Sequence, residues 1–453
     1  MEQLSEKERN AIRDRMTTNY KAADKQKDPR QRGDALLSLA KAIRDNLHVC
    51  PDLLGLCVTC AKQAVAAYKA LPDCSEPETL PAFADAEMTL AEICHANFLP
   101  HKSKYYYMGA FADYKALSKR DPRQYLEKVG DCLYGIGQCC LTMREYDLAE
   151  GMGKGALQYY LRSGKQGKSY LKAANAHALL AEVTLQTADY KHCLNHLCHA
   201  KKILTHNFSA KPLWRELAWV DQLFGELYFA CPSIGHDPYD CFRAAAGNLF
   251  KIVDENERFA AALQCDLRLS RRLTLSKQYE EAERTLASGI AQSRHSLSYP
   301  LLVTIAEACA AFGDAVYGQK DYPRALKAYE KAADLLGQVD QWVEEAYLPC
   351  YPDVWRNMGK CYQQLGQPLS AEVLYKRAVH RRKSYAIYAT ERETYRLALD
   401  YFALAQLYHT VQNDLPKAAA TYRMARAAAQ DCTEKHADLL VRIQRALASI
   451  GQY

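Results

Sequence analysis

Several clusters of side chains in this sequence have the composition of reactive or ligand-holding sites. Gly164, Lys165, Gln166, Gly167, Lys168 and Ser169 end in the Gly-Lys-Ser order whose backbone amides cradle phosphate in a P-loop. That chemistry needs a leading glycine at position 162 and a strand before the loop. Arg162 stands there, and Tyr159 and Tyr160 sit in a helical pattern, so the segment reads as an exposed connection between helices. His192, His196 and His199 fall at helical spacings i, i+4 and i+7 with Cys193 and Cys198 beside them, the ligand types a borderline metal ion takes. Cys193 also occupies a small-residue packing position, and the stretch reads as an ordinary helix surface with no metal. Cys57 and Cys60 make a single CxxC without a second pair at zinc-finger spacing and without a preceding strand, so both read as buried helical thiols, as do Cys139 and Cys140. Lys376, Arg377, His380, Arg381, Arg382 and Lys383 form the densest basic run, at the end of a helix where cations complement the dipole. The dipole alone accounts for it; as a surface patch it would be the place for an acidic partner, a phosphorylated segment or nucleic acid.

No serine, cysteine or aspartate stands in a nucleophile motif, and no carboxylate pair separates itself from solvated helical faces, so the expectation is a chain that is not an enzyme and carries no cofactor. The 59 basic and 53 acidic residues leave a formal charge of +6, too small an excess over this length for a dedicated nucleic-acid binder. Met1 to Arg30 is charged and lacks the apolar core of a signal peptide, and no apolar run reads as long enough to span a bilayer. The 17 cysteines are scattered through apolar helical patterns, which fits thiols in a reducing compartment. The expected setting is cytoplasmic, with cytoskeletal or nuclear association as further options.

The elements that would position any site are repeats. At 453 residues the chain exceeds the usual size of one compact core, so it is several domains or one array. The clearest unit holds Trp355, Met358, Gly359, Tyr362, Gly366, Ala371, Tyr375 and Ala378. Small residues at Gly359, Ala371 and Ala378 let two helices approach, and the large side chains fill the space around them. The template recurs upstream with Phe312, Gly313, Val316, Tyr322, Ala325, Tyr329 and Ala332, and downstream with Tyr401, Leu404, Ala405, Tyr408, Ala418, Tyr422 and Ala425. The anchors Gly137, Ala181, Gly225, Ser270, Gly313, Gly359 and Ala405 are separated by 44, 44, 45, 43, 46 and 46 residues. Leu36 to Ile43 and Leu90 to Cys94 open degenerate units before them.

These residues resemble the tetratricopeptide repeat, whose usual period is about 34 residues. The longer period is similar to the arrays of kinesin light chain, the mitotic-spindle Leu-Gly-Asn adaptors and the α-SNAP group. The resemblance implies an all-α fold, a right-handed α-solenoid of antiparallel helix pairs in about nine units. Within it we expect a charged, partly flexible N-terminal arm (1–33), degenerate helical repeats (34–132), tetratricopeptide-like repeats (133–447) and a C-terminal tail (448–453). It further implies a concave groove lined by first helices. Carried onto this chain, that groove takes Arg271, Arg356, Lys360 and Gln363 as polar contacts, with Phe229, Tyr317, Phe402 and His409 beside them. Lys376, Arg377, Arg381, Arg382 and Lys383 make the outer basic patch. The implied function is a protein-interaction scaffold or adaptor holding a peptide or helical segment. The alternatives are an obligate structural subunit of a large assembly, cytoskeletal, ciliary or another multi-protein complex, and, third, a repeat-containing regulatory enzyme.

Overall fold

The computed structural model describes residues 6–46, 50, 53–72, 76, 78–164, 167–208, 213–253, 255–293, 299–342, 346–386, 391–430 and 437–451. Among the described residues every regular element is a helix. The first ten α-helices are α1 (Glu6–Asp24), α2 (Pro29–Asn46), α3 (Leu54–Lys69), α4 (Leu80–Ala96), α5 (Pro100–Ser118), α6 (Pro122–Met143), α7 (Tyr146–Ser163), α8 (Gly167–Gln186), α9 (Tyr190–Asn207) and α10 (Trp214–Ala230). After one 3-10 turn at Pro232–Ile234 come α11 (Pro238–Leu249), α12 (Glu255–Leu275), α13 (Tyr279–Ser293), α14 (Tyr299–Gly318) and α15 (Tyr322–Trp342). The chain continues through α16 (Cys350–Gln364), α17 (Pro368–Ala386), α18 (Glu391–Thr410), α19 (Leu415–Gln430) and α20 (Ala437–Ser449).

The helices form two compact units, one of residues 1–269, 291–300 and 342–346 and one of residues 270–290, 301–341 and 347–453. The partition falls inside α12, whereas the sequence places its change of character at residue 133. In the first unit α2 packs on α3, α4 on α5, α6 on α7, α8 on α9 and α10 on α11; in the second, α16 packs on α17 and α18 on α19. First helices also touch across pairs, α2 with α4, α4 with α6, α6 with α8, α8 with α10, and α16 with α18. That is the neighbour-only contact pattern of a repeat array.

Inside a pair, an aromatic ring of the second helix lies on a glycine of the first. A methyl added to Gly313 would sit 2.7 Å from the Tyr329 ring, one on Gly359 2.7 Å from Tyr375, and one on Gly225 2.5 Å from Phe242. These approaches are too close for any side chain, which explains why the anchor stays small. The rings are pinned at their far ends: the Tyr329 hydroxyl donates to Asp314 at 2.6 Å and the Tyr375 hydroxyl to Gln363 at 3.1 Å. The turns close through left-handed residues at Arg144, Ala188, Lys277 and Lys320, and through Gly366.

Three expectations need correction. In place of the expected partly flexible arm over 1–33, the N-terminal stretch holds α1 and the start of α2 joined by a short link from Lys25 to Asp28, and Met16, Ala23 and Leu36 belong to one buried cluster with residues of α3. Residues 1–5 and 452–453 lie outside the described residues, and the expected tail begins inside α20. Leu301–Gly318 in α14 is long and apolar enough by composition to cross a bilayer, contrary to the sequence reading. Leu302, Ile305, Ala306, Cys309, Phe312 and Val316 of this segment are buried, as in a core helix.

The expected P-loop look-alike is a helix connection. Lys165 and Gln166 lie outside the described residues, α8 begins at Gly167, and the Ser169 hydroxyl donates to Glu127 at 2.9 Å. Cys57 and Cys60 are fully buried, and burial raises their thiols to about 12 and about 11, which leaves both unreactive at neutral pH.

Substituting Gly359 by leucine drives a side chain into the Tyr375 ring and lowers stability by about 1–3 kcal/mol in chemical denaturation. Gly151, mid-helix in α7 with nothing within 4 Å of an added methyl, gives the opposite sign: Gly151→Ala gains up to about 1 kcal/mol. Equal effects from the two substitutions contradict the packing account.

Candidate functional site

The residues expected to line a groove are concentrated in the second unit, around α16. This helix carries Asp353, Arg356, Asn357, Lys360 and Gln363 at spacings of three and four, which places them on one stripe. α17 brings Arg382 to its inner side, and α18 brings Glu393, Arg396 and Asp400.

At the centre is Arg382, 0% exposed. Its guanidinium donates to Asp400 at 2.9 Å, to Glu393 at 3.1 Å, to Asp353 at 2.6 Å and to the Pro349 carbonyl at 3.3 Å. Arg356 binds Asp400 at 2.6 Å and Asp353 at 2.8 Å, and Arg396 reaches Asp353 at 3.0 Å and the Pro349 carbonyl at 3.3 Å. The Tyr347 hydroxyl donates to Glu393 at 2.9 Å. Three arginines therefore face three carboxylates, and the cage is neutral. Burial alone pushes the Asp353 carboxyl up, but Arg382, Arg356 and Arg396 outweigh it and hold it well below the usual carboxylate range. Burial likewise works against the charge on Arg382, and Asp400, Asp353 and Glu393 overcome it, raising its pKa.

Two groups of expected site residues are thereby corrected. Arg356 is no open groove cation, because both ends of its guanidinium are spent inside the unit. Arg382 is no surface residue, and Arg381 is half-buried and ion-paired with Asp340. Of the expected basic patch, Lys376, Arg377 and Lys383 are exposed, with Lys376 bound to Glu372 at 2.7 Å and Lys383 lying over the Tyr401 ring at 5.6 Å. Phe402 is buried, with its ring 5.7 Å from that of Tyr422 and Arg442 stacked over it at 4.9 Å, so it is a core side chain and offers no open anchor.

The remaining positions keep some exposure. His409 is half-buried, edge-on to Tyr422 at 6.1 Å, and Tyr317 is half-buried with its ring 5.3 Å from Tyr322. Gln363 is half-buried and accepts from Tyr375, and Arg271 is exposed on α12. Phe229 belongs to the first unit, where its ring meets Tyr239 at 5.3 Å and Phe242 at 6.2 Å.

Lys360 differs from its neighbours. It is half-buried, its ammonium donates only to the neutral Asn357 amide oxygen at 3.2 Å, and no carboxylate lies within ion-pair distance among the described residues. Burial, and next the Arg356 charge, pull its pKa down. Asp314, Asp353 and Asp400 pull the other way from beyond ion-pair distance, and an anionic group arriving at this ammonium would add directly to their effect.

Sequence reasoning missed Asp353, Glu393, Arg396 and Asp400. One signal was present: Asp400 interrupts the apolar run Leu397 to Leu404, and a carboxylate there has to be buried with a cation.

No family model matches the chain, and no curated protein matches it. Solved structures do. A Rap protein complexed with competence and sporulation factor is 13% identical over 92% of this chain and 97% of its own, with a TM-score of 0.45. The apo form of RapI is 13% identical over 71% of this chain and 87% of its own, with a TM-score of 0.47, and yeast Tom70 is 11% identical over 98% and 96%, with a TM-score of 0.39. On its own helix-pair geometry, this chain is an all-helical array of packed helix pairs. Its first helices are linked across one repeat by polar side chains: Lys128 to Asp85, Lys172 to Asp131, Arg268 to Glu226, Asn357 to Asp314 and Arg356 to Asp400, at separations of 43, 41, 42, 43 and 44 residues.

Removing the cage's central cation strands buried carboxylates. Arg382→Met is expected to cost about 3–5 kcal/mol in urea denaturation, whereas the exposed neighbour substitution Lys383→Met stays within about 0.5 kcal/mol. A depressed Asp353 contributes stability that is complete above its unfolded pKa of about 3.9 and is lost as pH falls further. The thermal midpoint of the wild-type chain should therefore drop below pH about 4 more steeply than that of Asp353→Asn.

Proposed function

We propose that the chain is a non-enzymatic protein-interaction scaffold or adaptor whose second unit holds an acidic segment of another protein against α16. The observation that carries this reading is Lys360. It is a desolvated ammonium next to a cage whose other charges are already matched, and among the described residues it has no carboxylate partner. An incoming carboxylate or phosphate gains a charge-assisted hydrogen bond there. Tyr317, Gln363, His409 and Arg271 supply the half-buried and exposed contacts around the same unit. The acidic segment is an extended strand or a helix with its acidic side toward α16. The fifteen described cysteines are free thiols, which supports a reducing, cytoplasmic setting.

A second reading, a permanent subunit of a larger assembly, is favoured by the outer face of α17. Leu369 is 75% exposed and Val373 51%, and exposed Arg377, His380 and Lys383 follow along the same stripe. Apolar and cationic surface of this kind is what a constitutive acidic neighbour covers.

Affinity capture separates the two. With Lys360→Met, the discrete partners recovered by the wild-type chain disappear while the thermal midpoint is retained, and with Arg377→Glu they persist. Persistence of every partner in Lys360→Met overturns the α16 reading, and selective loss in Arg377→Glu supports the second.

A further inference from the structure

The histidines that stand out in the sequence are rearranged by the fold. His192 is withdrawn from the group: exposed at the start of α9, it is tied to the cap residue Asp189 at 2.7 Å. In its place comes His177, from the middle of α8. Its Nδ1 lies 3.0 Å from Nδ1 of His196 on α9, and the His199 ring, one turn further along α9, stacks on the His177 ring at 5.2 Å and 20°. Three imidazoles from two packed helices thus share one patch. His177 and His196 are half-buried and His199 is exposed.

We infer that His177 and His196 are the core of a binding site for a divalent transition-metal ion of the zinc class, with His199 as its third ligand. The two ring nitrogens face each other from separate helices at hydrogen-bond distance, one ring donating to the other; with both protons carried on Nε2, each ring would turn an Nδ1 lone pair toward the gap between them. Bound tetrahedrally at about 2.0–2.1 Å each, they would stand about 3.3 Å apart, a few tenths of an ångström beyond their present separation. As the side chains stand, no three His, Cys, Asp or Glu groups among the described residues converge to hold an ion. Among the described residues the His199 ring is held only by its stacking on His177, and His177 and His196 hydrogen-bond only to each other, so His199 would have to turn toward the pair to complete the site. Imidazole is a ligand set that suits zinc, copper and nickel and not magnesium or calcium.

On α7, Glu150 and Lys154 are paired with each other at 2.6 Å. A bound ion would clasp α8 to α9 and stiffen one helix pair of the first unit.

The test uses the full chain at pH 7.5 with zinc chloride, and magnesium chloride as the control. One equivalent of zinc raises the thermal midpoint by about 2 °C and magnesium does not. The rise is lost in His177→Asn and in His196→Asn, and kept in His192→Asn. Substituting cobalt for zinc gives visible absorption bands from the wild-type chain that vanish in the two core variants. Circular dichroism of each metal-free variant establishes that it is folded. If a variant does not fold, nitrogen-15 spectra of the wild-type histidines decide, because zinc must shift the Nδ1 resonances of His177 and His196 together. Absence of any zinc response in the wild-type chain, or a response undiminished in the His177→Asn, His196→Asn double variant, overturns the inference.

Discussion

The second unit depends on a buried arginine. Arg382 reaches the interior from α17 and finds carboxylates from α16 and α18 arranged around it, so three helices are held in register by one guanidinium. A single charge in that position would be expensive to desolvate; six charges that cancel, with a backbone carbonyl and a tyrosine hydroxyl absorbing remaining hydrogen-bond capacity, are tolerable. Hydrophobic packing alone would let α17 slide along its neighbours. The directional fork of an arginine fixes where each helix stops.

The same economy runs through the first unit on a smaller scale. Arg268 is held by Glu226 at 2.5 Å and Glu182 at 3.1 Å, and Lys172 by Glu127 at 2.6 Å and Asp131 at 2.7 Å. Each bond spans about one or two repeats, so polar groups on first helices serve mainly to join consecutive pairs. An aromatic ring on a small residue closes pairs such as Gly313–Tyr329, Gly359–Tyr375 and Gly225–Phe242, and polar bonds connect one pair to the next.

This division explains what was legible in the sequence. Gly313, Gly359 and their partner tyrosines recur because a ring lying on a helix backbone permits nothing larger, and a steric rule of that kind is visible at fixed spacing. The repeat period, the pairing of helices and the inert thiols all follow from local pattern. The fate of Arg356 and Arg382 does not, because their partner Asp400 lies 44 and 18 residues away and belongs to another helix. Read locally, both arginines look like surface charge. Asp400 within an apolar run carried the warning, and Phe402 misled for the matching reason: a groove-facing position in one repeat becomes core when the next helix covers it. His177 was invisible as a partner of His196, since nothing in the spacing of α8 announces what α9 will bring to it.

The most direct test of the cage is a double-mutant cycle between Arg382 and Asp400. Arg382→Met alone leaves an unmatched negative charge in the interior, and Asp400→Leu alone an unmatched positive one. Together they leave two arginines facing two carboxylates. The account requires the double variant to be more stable than Arg382→Met, with a coupling of more than about 1 kcal/mol in urea denaturation. Strictly additive losses would mean that the two side chains act independently, and that Arg382 is not what holds these helices together.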